Sequence, residues 1–438
     1  MLGGSDLTEA EARYVAANPE SRRLHEQRTR FMPGGNTRTT IHQPPFPLTI
    51  ARGEGARITD VDGHEYIDFL GEYTAGLYGH SNPVILETIR EALAEGIVLG
   101  GPNRYEASLA EAVCSRFPAV DLVRFCNSGT EANLLALSLA CAVTGRTGVL
   151  VFAGAYHGGI LLFAHGISPL NPPFEWIVGE YNDAESAARL IAEREHDLAA
   201  VIVEPVQGAA GVIPGDPVFL RALRKATAAH GVLLVFDEVM TARLAPGGMQ
   251  EVLGIEPDLT TLGKFVGGGL AFGAFGGRAE LMSRFDPSRP DALRHGGTFN
   301  NDVLTMAAGA AGLTRVLTPD EIARLNSLGD RLRDRLNSFA SKHGIDFCST
   351  GRGSLVGLHF ARGPIRREAD VPEAAELRDL LHLHMLERGW SYGRRGFVAL
   401  SLPLGGAEIG GFAAAVEEFL TKCFAGRGRA APGDQRQT

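Results

Sequence analysis

The chain has 438 residues, 45% of them hydrophobic and 21% charged, with a formal net charge of −9. This is an ordinary globular composition, long enough for two or three domains and a core able to hold a deep site. No basic block offsets the negative balance, which argues against a general nucleic-acid binder.

Residues 8–30 are polar and helix-compatible, and the turn-rich "MPGGNTRTT" follows them. From "PLTIARGEGARITDVDGHEYIDFL" the pattern changes to short β-like runs, with an Asp-Gly turn at Asp62–Gly63. Between about residues 85 and 310, amphipathic helical stretches alternate with short apolar strands: "TGVLVFAG", "LAAVIVEP", "GVLLVFDEV" and "FGAFGG". Strands apolar throughout, separated by such helices, indicate a parallel sheet covered on both faces. "DPVFLRALRKATAAHG" completes a βαβ unit, with Gly231 as its helix stop. After residue 310 helical patterns return, then a mixed region to about residue 424 and the tail "GRGRAAPGDQRQT", expected to be disordered. The expected architecture is an α/β fold. A large domain spans 91–310, and a small α+β domain is assembled from 1–90 and 311–424. Cysteines 114, 126, 141, 348 and 423 form no CxxC pair and no metal spacing, which suits a reducing compartment. No apolar run approaches the ~20 residues of a membrane span, and the start lacks a basic-then-apolar signal pattern. A cytoplasmic protein without a metal, membrane or nucleic-acid partner is expected.

Four segments carry chemistry. "FCNSGTEAN" runs from Asn127-Ser128-Gly129-Thr130 straight into a helix. It reads either as an anion site on the helix-start amides or as a capping arrangement of Ser128 with Glu131. "GAYHGG" sets Tyr156 among glycines after a strand end, as a stacking face or as an incidental residue of a tight turn. "LLVFDEVM" ends a strand in Asp237, where open α/β sheets bind ligands; four apolar residues precede it, so it is expected to be partly buried and in need of a cationic partner. Glu204 ends the preceding strand in a similar place. Finally "DLTTLGKFVGGGLAFGAFGG" places Lys264 among glycines and apolar residues, whereas Lys225, Lys342 and Lys422 have charged or polar neighbours. In a chain that otherwise uses arginine, a buried lysine suggests a need for an amine that can lose its proton. An anion site, an aromatic face, a strand-end acid and an apolar lysine are what pyridoxal phosphate requires.

With "DVDGHEYIDFL", "NSGTEAN", "YHGG", "VEPVQG", "VFDEVM", "LGKFVGGG" and "GGTFNND" in order over roughly residues 20–425, the chain resembles the class III aminotransferases of the fold-type I pyridoxal-phosphate enzymes. The resemblance implies that Lys264 is the Schiff-base lysine and Asp237 the partner of the ring nitrogen. Ser128, Gly129 and Thr130 would bind the phosphate, Tyr156 would cover the ring, and Val239 would contact the cofactor. Thr298 would reach the phosphate in the neighbouring subunit, which implies a homodimer with active sites at its interface. The loop departs from many relatives in reading "TFNND" where they carry Thr-Phe/Tyr-x-Gly-Asn-Pro. "MPGGNTRTT" and "GRRGFVALSLPL" are similar to the branch of β-amino acid (β-phenylalanine) aminotransferases, with glutamate-1-semialdehyde aminomutases nearby. That similarity gives Arg38 to the substrate carboxylate and Arg395 to the pocket mouth, with Arg394 able to take the latter's place. Transfer from a β-amino acid to a 2-oxo acid such as 2-oxoglutarate or pyruvate is therefore expected. An aminomutase ranks second and a catalytically silent scaffold third.

Overall fold

Apolar strands that follow one another through helices have to lie parallel in one sheet, and most of the central strands do. The computed structural model describes residues 4–424; the tail expected to be disordered lies outside them. Seven strands form the main sheet: β1 (Leu122–Cys126), β2 (Gly148–Phe152), β3 (Glu175–Gly179), β4 (Leu198–Val203), β5 (Leu233–Asp237), β6 (Leu259–Gly263) and β7 (Gly273–Gly277). Their order is β1-β7-β6-β5-β4-β2-β3. The pairs β6–β5, β5–β4, β4–β2 and β2–β3 are parallel. β7 is antiparallel to both β6 and β1. "FGAFGG" is thus a strand as expected, but it runs against its neighbours, because only a short connection separates it from β6. A parallel crossover needs a dozen or more residues.

Every residue of β2, β4, β5 and β6 is buried, as a sheet with helices on both faces demands. The helix α1 (Gly129–Thr144) packs on one face, and α2 (Pro217–His230) joins β4 to β5 on the other. Asp216 caps α2 by accepting from the Val218 amide at 2.8 Å, Pro217 occupies the first turn, and Gly231 ends it at φ 60°. A cap of this kind stabilises a helix by about 1 kcal/mol.

The two chain ends meet in smaller sheets. Ile50–Glu54, Arg57–Asp60 and Glu65–Asp68 form an antiparallel meander with its turn at Gly63. Trp390–Ser391 adds to its edge, parallel to Glu65–Asp68. A second sheet pairs Cys348–Arg352, Leu355–His359 and Phe397–Ala399. The polar stretch 8–30 is two helices, Gly4–Ala17 and Pro19–Arg28, because Pro19 interrupts the first. This arrangement brings residues 38–41, 71–74 and 395–397 over the carboxyl ends of β4, β5 and β6.

Candidate active site

Strand ends, the start of α1 and the two chain-end segments enclose one cavity of about 430 Å³, a volume ordinary for small-molecule sites. Lys264 follows β6 directly and turns the chain at φ 53°. For a side chain with a Cβ this left-handed conformation costs roughly 1–2 kcal/mol. Burial pushes the Lys264 amine below the usual lysine range; Asp237 and Glu204 oppose that shift, while Arg243 and Arg38 add to it. The deprotonated amine is the nucleophilic form.

Asp237 ends β5 and is buried. Its Oδ2 accepts from His157 Nδ1 and from Asn133 Nδ2, both at 2.8 Å. Among the described residues its Oδ1 accepts only from the Val239 amide, at 3.0 Å, and so keeps acceptor capacity to spare. A carboxylate cannot donate, so the proton between the pair sits on Nδ1. Asn133 is fixed in turn, accepting from the Thr261 hydroxyl at 2.6 Å and donating to the His157 carbonyl at 2.8 Å. Glu204, after β4, accepts the amides of Tyr156 at 2.9 Å and Gly208 at 3.0 Å. Burial pushes its carboxyl up to about 7, with Asp237 acting in the same direction and His157 against it.

At the start of α1 both readings of "NSGT" hold geometrically. Ser128 Oγ caps the Glu131 amide at 3.1 Å, and Glu131 reaches back to the Asn127 amide at 2.7 Å. The Gly129 and Thr130 amides have no partner among the described residues, and both residues line the cavity. Unpaired amides at the positive end of a helix dipole make an anion cradle. Gly158 closes it at φ 135°, where a Cβ would stand 2.3 Å from Thr130 Oγ1; only glycine fits. Tyr156 and Val239 also line the cavity.

Arg38 and Arg395 line the same cavity from opposite chain ends. Arg38 pairs with Glu72, and Arg394 is held by Asp379. Arg395 has no hydrogen bond or ion pair among the described residues, so it is the available cation of its dipeptide. Tyr73 leans on Phe397 with ring centroids 5.5 Å apart and gives the cavity an aromatic wall. Thr298 is exposed and does not line this chain's own cavity. Sequence reasoning missed His157, Asn133 and Glu72. The first two stood inside motifs already singled out, whereas Glu72 carried no local signal.

An anion cradle, an acceptor oxygen and a buried amine within one cavity beside an aromatic ring fit pyridoxal phosphate group by group. The unpaired Gly129 and Thr130 amides suit its phosphate, Asp237 Oδ1 its ring nitrogen, and Lys264 its aldehyde. The fold and site thus define a pyridoxal-phosphate enzyme of fold type I, and the comparisons specify it further. Residues 39–377 match the family Aminotransferase class-III. The chain is 51% identical over 415 residues to the beta-phenylalanine transaminase of Variovorax paradoxus, covering 94% of this chain and 95% of that one. A solved structure of a beta-phenylalanine aminotransferase from Variovorax paradoxus superposes with a TM-score of 0.94 at 50% identity, over 96% of this chain and 98% of the other. The glutamate-1-semialdehyde 2,1-aminomutase 2 of Brevibacillus brevis is 40% identical over 364 residues, 79% of this chain and 84% of its own. The chain belongs to the class-III aminotransferases and is a pyridoxal-phosphate-dependent transaminase.

Proposed function

We propose that the enzyme moves the amino group of a β-phenylalanine-like β-amino acid to a 2-oxo acid such as 2-oxoglutarate or pyruvate. The position of Arg38 supports this reading most directly: a guanidinium on an N-terminal loop lines the same cavity as Lys264 and the Tyr73–Phe397 aromatic pair. A β-amino acid carries its carboxylate one carbon further from the amine than an α-amino acid does. Its cation must therefore stand away from the usual α-carboxylate position, and the 38–41 loop supplies one. The similarity to a protein named for β-phenylalanine points the same way.

When bound, pyridoxal phosphate supplies an aldehyde and a protonated ring that withdraws electrons. Ser128, Gly129 and Thr130 would hold the phosphate, while Tyr156 and Val239 would enclose the ring. Asp237 would keep a proton on the ring nitrogen. Lys264, whose protonation burial disfavours, would face the aldehyde and would carry the proton at the substrate carbon. Arg38 orients the donor carboxylate with its planar fork, and Arg395 assists the second substrate. Arg38→Ala should lower kcat/KM for β-phenylalanine by ~10–100-fold, as expected for a charge-assisted contact. An amine without a carboxylate should lose much less, and equal losses for both would make Arg38 structural. The aminomutase reading, kept open by the Brevibacillus relative, replaces this one if glutamate-1-semialdehyde isomerises faster than any β-amino acid is transaminated.

The catalytic unit is proposed to be a homodimer. Val98 is 77% exposed and Phe299 64%, with Leu93, Ile97 and Leu99 also open to solvent. An apolar cluster of this kind is what a partner covers, and Thr298 stands beside Phe299 outside its own cavity. Thr298→Ala should weaken cofactor retention by ~10-fold. Dilution to monomers should release the cofactor altogether, and a sedimenting monomer with full activity would contradict the proposal.

A further inference from the structure

The pairing of Arg38 has a structural background that stability does not account for. Glu72 takes the Arg38 guanidinium at the cavity rim, with the two side chains 57% and 46% exposed. An exposed pair of this kind contributes only ~0–1 kcal/mol. The backbone that presents Glu72 is far more strained than that. Glu72, Tyr73 and Thr74 follow Gly71 at φ 48°, 51° and 83°, and each left-handed L-residue costs ~1–2 kcal/mol. Of the seven non-glycine residues with positive φ among those described, Glu72, Tyr73, Val212 and Lys264 line this one cavity. Strain concentrated in this way is characteristic of functional sites.

The strained turn grips the 38–41 loop at two points. Glu72 holds Arg38, and the Tyr73 hydroxyl donates to the Thr40 carbonyl at 3.0 Å. Arg395, in the same cavity, has no partner among the described residues. Of the two arginines that line the cavity, one is therefore unpaired among the described residues and the other is occupied by a carboxylate of the chain itself.

We propose that Glu72 is a built-in stand-in for the substrate carboxylate and a specificity-determining residue of this site. This rests on the reading of Arg38 as the cation for the donor carboxylate. Binding a carboxylate substrate is then an exchange: one carboxylate leaves the guanidinium fork as another enters, and the charge on Arg38 is never left bare. The exchange weakens carboxylate affinity by the strength of the internal pair. It also shields amines that bring no carboxylate from an uncompensated cation.

The test uses 3-phenylpropionate, which keeps the ring and carboxylate of β-phenylalanine but has no amine to react. Its binding to holoenzyme is measured by calorimetry for wild type, Glu72→Gln, Arg38→Ala and the double variant. Glu72→Gln should bind it about 3–10-fold more tightly, because the internal competitor is gone. The gain should vanish in the Arg38→Ala background, and 3-phenylpropan-1-ol should bind wild type and Glu72→Gln alike. Glu72→Gly, which adopts this φ without strain, should show the same gain and decides the matter if the glutamine variant does not fold. Unchanged or weaker binding in a folded Glu72 variant, beside weakened binding in Arg38→Ala, overturns the stand-in and leaves the role of Arg38 intact. Unchanged binding in Arg38→Ala overturns both.

Discussion

Lys264→Ala should abolish transamination, with turnover at least ~10⁴-fold lower, while the protein still folds and still takes up pyridoxal phosphate. The α1 amides proposed to hold the phosphate do not involve the lysine, so affinity should fall without disappearing. Borohydride treatment followed by denaturation should leave cofactor on wild type and none on the variant. Lys225 and Lys342 are exposed, Lys422 is ion-paired with Glu418, and none of the three lines the cavity. Cofactor fixed to any of them in the variant would remove Lys264 from its assigned place. Lys264→Arg separates chemistry from packing. It keeps a long cationic side chain that cannot lose its proton, and it should be as inactive as the alanine variant. Appreciable turnover in the arginine variant would show that the lysine only fills space.

Lys264 and Asp237 could be picked out of the sequence for the same physical reason. Each is a polar residue set hard against an apolar run, and such runs become buried strands whose ends face the ligand side of an open sheet. The residues that hold Asp237 in place were harder to see. Asn133 lies 104 positions away in the chain, on the first turns of a helix, where a polar side chain is unremarkable. His157 stands inside "YHGG", but nothing local says that its ring turns inward to a carboxylate 80 positions on. Glu72 is the extreme case, because its left-handed turn is built from Glu, Tyr and Thr, residue types that advertise no positive φ. The fold shows the same division. The strands β2, β4 and β5, buried on both faces, were legible as continuous apolar runs. β1 and β3 sit at the sheet edges with partly exposed, mixed sequences and were not. Local pattern also carried no direction for β7, which was set by the short connection from β6.

Asp237→Asn should leave the fold intact and reduce turnover by ~10²–10³-fold, and the geometry says why. All three groups that contact the carboxylate are donors: His157 Nδ1, Asn133 Nδ2 and the Val239 amide. An amide has one oxygen to offer them. Keeping that oxygen on His157 and Asn133 turns the new NH2 toward the Val239 N–H and the cavity, where it meets one donor and presents another. A donor at that point can satisfy only an unprotonated ring nitrogen, so the proton that makes the ring an electron sink is no longer held. The opposite orientation leaves both His157 and Asn133 facing an NH2, and His157 Nε2 is already buried without a partner. A second unsatisfied group there would cost roughly 1–3 kcal/mol in stability. Loss of turnover with only a small fall in Tm would therefore point to the first orientation and to the ring proton. The decisive comparison is Asp237→Ala reconstituted with N-methylated pyridoxal phosphate, whose ring charge is permanent and needs no carboxylate. Activity recovered with that analogue, and not with the ordinary cofactor, assigns Asp237 to the ring nitrogen. If neither cofactor restores turnover in a folded variant, the carboxylate serves instead to position His157 and the Tyr156 segment beside it.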